Sequence, residues 1–162
     1  MTQTNSMYYI EAPNFLTPSQ QNMMMELEKD AFPGLGAVDE QTLVPLARYG
    51  KLLLYRQHGD DKPVAVCECM RDYTNPDKAY IFGYYVRSDQ NGKGLGTKFL
   101  KEVLTILKED GFKKVSLTVS ESNTAAVKLY KNVGFMVKEV RYDEFGAGED
   151  RLYMERELVK DS

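Results

Sequence analysis

The sequence contains no tryptophan, one histidine and only two cysteines among its 162 residues. Cys67 and Cys69 lie two positions apart in a strand-like run, where both side chains point to the same face and the geometry disfavours a disulfide between them. A zinc site usually needs about four Cys, His or carboxylate ligands, and the single histidine, His58, falls in a predicted turn. We therefore expect two buried, free cysteines and no metal site.

Long apolar runs and excess positive charge are also missing. No stretch approaches the roughly 18 consecutive apolar residues of a membrane span, and residues 1–10 lack the basic start and apolar run of a secretory signal. The formal net charge of -3 gives no general attraction to nucleic acid or anionic lipid, because both favour clustered positive charge. The sequence therefore predicts a cytoplasmic protein without nucleic-acid or membrane partners.

The composition that remains is typical of one globular domain. Apolar residues make up 43% and charged residues 28% of the chain, which argues against disorder, and a chain of this length can bury one core. No internal repeat, low-complexity tract or linker interrupts it. We expect a single domain over residues 1–162.

Apolar periodicity and capping residues predict seven strands and four helices. The predicted strands cover residues 7–12, 51–57, 63–73, 79–86, 115–119, 135–145 and 151–159. The predicted helices run from the Thr17-Pro18 cap to residues 33–34 and over 39–49, 94–110 and 123–133. The order βααβββαβαββ predicts a mixed α/β domain, with antiparallel strands early and late and one β-helix-β crossover that makes two strands parallel.

A glycine-rich segment, Asn91-Gly-Lys-Gly-Leu-Gly96, connects a predicted strand to the most strongly periodic helix. Its three glycines remove the Cβ atoms that would hold a ligand away from the backbone, and the first turn of a helix offers N–H groups and partial positive charge to a pyrophosphate. Lys93 and Lys98 add positive charge nearby. The spacing departs from both the GxGxxG and the P-loop patterns. A tight turn without a ligand also explains the glycines, so this loop taken alone leaves both interpretations open.

A second motif, Asn123-x-x-Ala126-x-x-x-Tyr130-x-x-x-Gly134-Phe135, lies on the next predicted helix. Asn123 and Tyr130 are two helical turns apart and share a face, which Ala126 keeps low enough for a slender ligand. A purely structural role is open for each: a helix N-cap for Asn123 and an aromatic packed on the sheet for Tyr130. Gly134 fits a helix C-cap.

Together the two motifs resemble those of the GNAT superfamily of acetyl-CoA-dependent N-acetyltransferases, and the element order matches that fold over nearly the whole chain. The resemblance implies a GNAT-like domain with a mixed, mostly antiparallel seven-stranded sheet flanked by helices. It also implies transfer of an acetyl group from acetyl-CoA, without a metal, to an amine of a small molecule or peptide by direct attack.

The resemblance further implies which residues hold acetyl-CoA. The loop backbone would grip the pyrophosphate, the end of the preceding strand would pair with the pantetheine amides, Asn123 would contact the pantetheine arm or an ordered water, and Tyr130 would lie beside the sulfur. The implied residues are Tyr85, Val86, Arg87, Asn91, Gly92, Lys93, Gly94, Leu95, Gly96, Thr97, Asn123 and Tyr130. Asn91 departs from the Arg or Gln usual at the first loop position, so we expect weakened or shifted phosphate contacts there.

Two residues are candidates for the proton transfers. Tyr130, protonated at neutral pH, can donate to the leaving thiolate, and a backbone N–H near Val86 can stabilise the oxyanion. Glu68 interrupts the apolar run 64–70 and is the candidate general base; Tyr84 holding a water is the alternative. A glutamate facing solvent at a strand edge explains Glu68 equally well.

The acceptor and the partners are less constrained by the sequence. The turn 143–150 contains four carboxylates, from which we predict a cationic acceptor, although charged hairpin tips are usually only solvated. A homodimer through the last strands is expected without a specific sequence feature. Two rival functions stay open: a non-catalytic acyl-CoA-binding or sensor domain of the same fold, and a nucleotide-binding domain that reuses the glycine loop.

Overall fold

A computed structural model of the chain describes residues 7–34 and 37–158. The strands are β1 Tyr8–Glu11, β2 Lys51–Gln57, β3 Ala65–Arg71, β4 Lys78–Val86, β5 Lys114–Val119, β6 Met136–Arg141 and β7 Arg151–Glu157. The helices are α1 Pro18–Ala31, α2 Glu40–Tyr49, α3 Leu95–Glu109 and α4 Thr124–Asn132. This order confirms the predicted one. The sequence did not predict a short 3-10 turn, Ser88–Gln90, between β4 and α3.

The strand boundaries differ most from the prediction at β6 and β3, where β3 covers Ala65–Arg71 instead of 63–73. β6 ends at Arg141 rather than at Phe145, because the chain turns at Asp143, whose φ of 54° is left-handed. β7 ends at Glu157, and the predicted terminus at Val159 lies outside the described residues.

The seven strands follow the order β1-β2-β3-β4-β5-β7-β6. Antiparallel pairs join β1 to β2, β2 to β3, β5 to β7 and β6 to β7, whereas β4 and β5 pair in parallel. α3 connects the parallel pair, as expected for a β-helix-β crossover. The predicted mixed, mostly antiparallel sheet is confirmed. In the part of the chain that the structure describes, no helix is long and apolar enough to cross a bilayer.

The described residues fall into two compact units. The first contains the chain up to Cys69 and resumes over Gly83–Leu95; the second contains Met70–Phe82 and the chain from Gly96 onward. β4 therefore contributes residues to both units. The prediction of one domain over residues 1–162 stays a prediction.

The first unit buries both faces of its central strands. Leu52–Tyr55 in β2 and 65–69 in β3 are all buried. α1 begins at a capping box, in which Thr17 Oγ1 accepts from Gln20 N at 3.2 Å and Gln20 Oε1 accepts from Thr17 N at 2.8 Å. Cys67 and Cys69 are buried and free, with their Sγ atoms 3.4 Å apart, which confirms that both side chains are buried on one face.

The second unit is built around α3 and the strands β5 and β7. The apolar positions of α3 that repeat every three or four residues are buried: Phe99, Leu100, Val103, Leu104 and Leu107. The central residues of β5 and β7 are buried too, whereas β6 is exposed along nearly its whole length at the end of the strand order. The apolar residues that made α3 the most strongly periodic helix of the sequence therefore form its buried face.

Candidate active site

The glycine loop is exposed and leads directly into α3. Gly92 and Gly94 have left-handed φ values of 83° and 74°, and an added Cβ would meet no neighbour within 4 Å at either position. Glycine is therefore required by the backbone conformation rather than by crowding. Such a loop, open to solvent before the first turn of a helix, is suited to a phosphate ligand.

Lys93 is directed away from that role in this structure. Its Nζ donates to Oε1 of Gln90 at 3.0 Å, and Gln90 is buried in the 3-10 turn. The lysine therefore helps to hold the turn that precedes the loop. The predicted phosphate contact of Lys93 requires its ammonium to exchange this partner for the ligand.

The residue after β4, Arg87, is held by the protein on every side. Its N–H donates to the Val64 carbonyl at 2.8 Å, and its own carbonyl accepts from Gln90 N at 2.9 Å. Its guanidinium binds the carboxylates of Asp60, at 2.8 Å, and Asp89. These partners raise the pKa of Arg87, and the guanidinium lowers the pKa of Asp60 and Asp89. Because both backbone groups of Arg87 are already bonded, the predicted backbone pairing with pantetheine remains for Tyr85 and Val86 only.

A second carboxylate anchors the same segment to α1. Both oxygens of Asp30 are engaged, since Ser88 N donates to Oδ2 at 3.1 Å and Ser88 Oγ donates to Oδ1 at 2.7 Å. These bonds lower the pKa of Asp30. The sequence did not reveal Asp30 or Asp60, because neither lies in a motif and their partners are distant along the chain.

A charged cavity of about 740 Å³ opens beside this segment in the first unit. Its ionisable lining consists of Glu26, Asp30, His58, Asp60, Asp61, Lys62, Arg87 and Asp89. Several of these groups are already paired: Arg87 with Asp60 and Asp89, and Lys62 with Glu26 at 3.8 Å. The network therefore serves to hold the chain between β4 and the glycine loop.

Asn123 is the N-cap of α4, which confirms one of its two predicted roles. Its Oδ1 accepts from the Ala126 amide at 3.2 Å. This bond fixes the side chain at the start of the helix. Contact with the pantetheine arm stays a prediction for this residue.

Tyr130 is largely buried in the second unit, with 7% of its surface exposed. Its ring meets the Phe135 ring edge to face, with centroids 5.8 Å apart. Phe135 N donates to the Tyr130 carbonyl at 2.9 Å across Gly134, whose φ is 102°, so the predicted C-cap is confirmed. The structure thus gives Tyr130 a packing role, and its place beside the sulfur stays a prediction.

Glu68 is buried, with 0% of its surface exposed. The alternative of a solvent-facing glutamate at a strand edge is therefore wrong; β3 lies between β2 and β4, so Glu68 is not on an edge strand. A Cβ added to Gly83 of β4 would lie 2.1 Å from Oε1 of Glu68. Glycine at the middle of this strand thus provides the space that the carboxyl occupies.

A second carboxyl, that of Glu28 in α1, adjoins Glu68 and is also 0% exposed. No carboxyl oxygen of either residue has a hydrogen bond of standard geometry within residues 7–34 and 37–158, nor does the Tyr85 hydroxyl. Burial first, and Glu28 second, raise the pKa of Glu68 to about 10. The Glu68 carboxyl is therefore protonated at neutral pH, and in that state it cannot accept a proton from an amine.

Glu28 differs from Glu68 in the groups that approach its carboxyl. Burial raises its pKa, but Glu68, the Tyr85 hydroxyl and the Val38 amide act in the opposite direction by hydrogen bonding. None of these groups reaches the Glu28 carboxyl with standard hydrogen-bond geometry. Sequence reasoning missed Glu28, although a signal exists: it lies one helical turn after Met24, on the apolar face of α1.

The acidic turn after β6 uses its carboxylates within the hairpin. Asp143 Oδ1 accepts from Gly148 N at 2.7 Å, and Asp150 Oδ1 accepts from Asp143 N at 2.8 Å. Glu144 pairs with Arg141 at 3.1 Å, and Glu149 with Arg151 at 3.4 Å. These four carboxylates thus have local structural partners, which reduces the charge that they offer to an acceptor.

In the described part of the chain, no group of three or more His, Cys, Asp or Glu side chains is arranged to hold a metal ion. The homodimer stays a prediction. β6 does leave apolar side chains exposed on the second unit: Met136, Val137 and Val140.

Comparison with known proteins identifies the type of domain. The family model described as acetyltransferase (GNAT) family matches residues 7–135. N-alpha-acetyltransferase 50 of Danio rerio is 28% identical over 78% of this chain and 74% of its own length. The matches to the first three curated relatives span 37%, 66% and 74% of their lengths.

Solved structures give the same result for the fold. The ribosomal-protein-S18-alanine N-acetyltransferase from Escherichia coli has a TM-score of 0.77 and 24% identity, with 96% of this chain and 97% of that chain covered. A GNAT family acetyltransferase from Elizabethkingia anophelis, solved with acetyl-CoA bound, has a TM-score of 0.72 and 17% identity over 94% and 99% of the two chains.

Proposed function

This chain belongs to the acetyltransferase (GNAT) family, and we propose that it transfers an acetyl group from acetyl-CoA to an amine. The observation that carries the proposal is the exposed loop with left-handed Gly92 and Gly94 directly before α3. It lies within the segment that the family model matches, and a structural neighbour was solved with acetyl-CoA. We further propose that the whole chain works as one acetyltransferase domain.

In this proposal the CoA-binding roles follow the sequence predictions, with one restriction from the structure. The backbone from Gly92 to Thr97 binds the pyrophosphate, and Tyr85 and Val86 pair with pantetheine. Arg87 instead positions that strand end, because its backbone groups are already bonded. Asn91 in place of the usual Arg or Gln weakens or shifts the phosphate contact.

The chemical step is direct attack of the free amine on the thioester carbonyl. A strand-end N–H near Val86 stabilises the oxyanion, an interaction worth roughly 3–4 kcal/mol in the best-studied cases. Tyr130 donates its phenol proton to the leaving thiolate. Because the raised pKa of Glu68, about 10, keeps its carboxyl protonated at neutral pH, the proton of the amine passes in this proposal to a water held by Tyr84, the alternative predicted from the sequence.

For the acceptor we propose a cationic amine, with the α-amino group of a peptide first among the candidates. Two similar proteins are named for the acetylation of such groups: N-alpha-acetyltransferase 50 and the ribosomal-protein alanine N-acetyltransferase. An α-ammonium group also suits the carboxylates of the hairpin turn 143–150. Cytoplasmic location and a homodimer accompany this proposal as further predictions.

The proposal is tested by following thiol release from acetyl-CoA with a panel of amines that includes N-terminal peptides, polyamines and amino sugars. We expect steady turnover with at least one acceptor. Thermal protection by CoA without turnover would favour the non-catalytic acyl-CoA-binding domain. Protection by ATP or NAD but not by CoA would favour a nucleotide-binding domain.

Tyr130→Phe tests the proton donor in the same assay. We expect the turnover number to fall by about 10²-fold, while the affinity for CoA changes by no more than a few-fold because the phenol acts on the leaving sulfur. An unchanged turnover number would remove Tyr130 from the mechanism.

A further inference from the structure

A small basic cavity lies in the second unit, between the C-terminal half of α3, the end of α4 and β7. Its volume is about 370 Å³, at the small end of the roughly 300–1,000 Å³ usual for ligand pockets. None of its lining residues is acidic, whereas three are cationic: Lys101, Lys108 and Arg156. The chain as a whole has a formal net charge of -3, so this excess of positive charge is a local property of the cavity.

The spacing of residues along α3 places two of the cations on one side of the helix. Lys101, Leu104 and Lys108 are three and four residues apart, so they follow one another along the same face. Both lysines are exposed, whereas Leu104 is buried. Two further buried apolar residues, Val133 and Leu158, line the cavity beside it. The cavity therefore combines an apolar base with a cationic rim.

The guanidinium of Arg156 is held in place before any ligand binds. Its Nε donates to the Val133 carbonyl at 2.8 Å, and its Nη1 donates to the Glu157 carbonyl at 2.8 Å. Gly134 leaves room for it, since an added Cβ would lie 3.0 Å from the Arg156 Nε. Within residues 7–34 and 37–158, Nη2 has no hydrogen-bond partner. A guanidinium fixed in this way loses little conformational freedom when it binds an anion.

Structural roles account for only part of this positive charge. Lys108 lies in the last turn of α3, where the helix dipole favours a cation, and Arg156 satisfies the carbonyl at the end of α4. Lys101 lies about two turns before Lys108 and has no such role. None of the ion pairs in the described part of the chain includes any of the three cations. Their charges are therefore available to an anionic ligand.

We propose that this cavity binds a small organic phosphate, a phosphate monoester with an apolar group. Near neutral pH such a phosphate carries close to two negative charges and offers three acceptor oxygens, which match the guanidinium and the two ammonium groups. Its apolar group covers the buried leucines and valine of the cavity. The inference goes beyond acetyl transfer and does not depend on it, because no residue of the cavity belongs to the segments predicted to bind acetyl-CoA.

The first experiment locates the anion without using activity. Phenyl phosphate is titrated into the full chain, labelled with nitrogen-15, in a buffer free of other phosphates. We expect the backbone amide signals of residues 101–108, 132–134 and 156–158 to shift in one saturable process. Shifts confined to residues 92–97 would place the phosphate at the glycine loop, and the absence of saturation below about 10 mM would mean nonspecific attraction. Either result would overturn the proposal.

The same titration with CoA present separates this cavity from the predicted cofactor site. Lys101 lies only one helical turn after Thr97, so a phosphate of CoA itself is the main rival occupant. We expect CoA to leave the affinity for phenyl phosphate unchanged. Displacement of phenyl phosphate by CoA would assign the cavity to the cofactor and overturn the inference. If CoA does not bind at all, the proposed function is rejected, whereas the binding of phenyl phosphate to the cavity still stands.

A series of related probes tests the chemical class of the ligand. Inorganic phosphate supplies the charge without the ring, and benzoate supplies the ring with a single negative charge. We expect phenyl phosphate to bind about tenfold more tightly than inorganic phosphate, because its ring covers apolar surface, and more tightly than benzoate. Equal affinity for inorganic phosphate would contradict the role of the apolar base, and equal affinity for benzoate would contradict recognition of a phosphate.

Substitutions of the three cations test which groups bind the phosphate. Lys101→Gln and Lys108→Gln replace exposed side chains, so both variants should fold as the wild type does. Each should weaken the binding of phenyl phosphate about fivefold, and the double variant should weaken it further. Arg156→Lys keeps the charge but loses the planar fork, so it should also weaken binding. If Arg156→Lys fails to fold, the double lysine variant still decides, because unchanged affinity there would overturn the proposal.

Lys138→Gln is the matched control for the loss of one positive charge. Lys138 is exposed in β6 and does not line the cavity, so this variant should bind phenyl phosphate as the wild type does. The affinity of the wild type should also fall as the ionic strength rises, because salt screens the exposed lysines. Equal weakening by Lys138→Gln and Lys101→Gln would indicate a general effect of net charge and would overturn the assignment to this cavity.

Discussion

The acidic turn of the second unit and the buried acid pair of the first use the same chemical group in opposite ways. Around the hairpin, Asp143, Glu144, Glu149 and Asp150 are exposed, and each has a partner within the hairpin. Glu28 and Glu68 are buried without a well-formed partner. In this protein the closely spaced carboxylates thus belong to a solvated turn. The single carboxyls that interrupt apolar patterns belong to buried groups, and burial changes the pKa of such a group.

The largest expected difference between the two groups of carboxyls is in the pH dependence of stability. Because the pKa of Glu68 is raised to about 10 from 4.5, the folded state holds a proton that the unfolded state loses between these values. Stability is therefore full below about pH 4.5 and falls as the pH rises, by at most about 1.4 kcal/mol per pH unit. Denaturant unfolding of wild type and Glu68→Gln between pH 6 and pH 9 measures the effect.

The free energies of unfolding of the wild type and Glu68→Gln should diverge steadily as the pH rises, because only the wild type loses stability through Glu68. Asp143→Asn serves as the control from the hairpin and should follow the wild type. Parallel curves for wild type and Glu68→Gln would show that Glu68 titrates as an ordinary surface carboxyl.

Gly83→Ala should disturb the buried pair directly. The new Cβ would lie 2.1 Å from Oε1 of Glu68, so the carboxyl must move, and overpacking of this kind destabilises by about 1–3 kcal/mol. We expect a lower free energy of unfolding and a lower kcat. The loss of stability should shrink when Glu68 is also replaced by Ala, because the clash is removed; an equal loss in both backgrounds would contradict this explanation.

Asp60→Asn tests a paired carboxylate of the first unit. The change weakens the bond to Arg87 and should lower stability by about 1 kcal/mol, since the pair is only partly buried. It should raise the KM for acetyl-CoA about fivefold with little change in kcat. Because its pKa is lowered, the contribution of Asp60 is present at neutral pH and is lost as the pH falls below about 4.

The neighbouring exposed residue Asp61 supplies the control for that measurement. The bond that Arg56 makes to it goes to the Asp61 carbonyl, so Asp61→Asn should leave both stability and the KM for acetyl-CoA unchanged. Equal effects of the two substitutions would indicate a general electrostatic change rather than loss of the Arg87 anchor.

Asp143→Asn should have the smallest effect. Asparagine keeps an oxygen for Gly148 N and tolerates the left-handed φ of 54°, so stability should change by less than about 0.5 kcal/mol. If the acceptor is cationic, its KM should rise about twofold at low salt and become less sensitive to ionic strength. A KM that is insensitive to both salt and this substitution would count against a cationic acceptor.

Much of the fold could be predicted because its signals are local. The Thr17-Pro18 cap, the apolar repeat of α3 and Gly134 after α4 each depend on residues within one or two turns of each other. The end of β6 could not be placed, since Val137 to Tyr142 continues a strand-like pattern and only the left-handed Asp143 ends it. Most of the site roles were inferred from the two motifs, and the structure restricts the role of Arg87.

By itself the sequence determined the element order, the glycine loop before α3 and the family, because these are encoded in short patterns of residue type and spacing. Only the tertiary structure decided that Glu28 meets Glu68, that Gly83 makes room for the Glu68 carboxyl, and that Arg87 is anchored by Asp60. These contacts join residues far apart in the chain, and burial, which changes the protonation of a carboxyl, is a property of the packed molecule rather than of any segment.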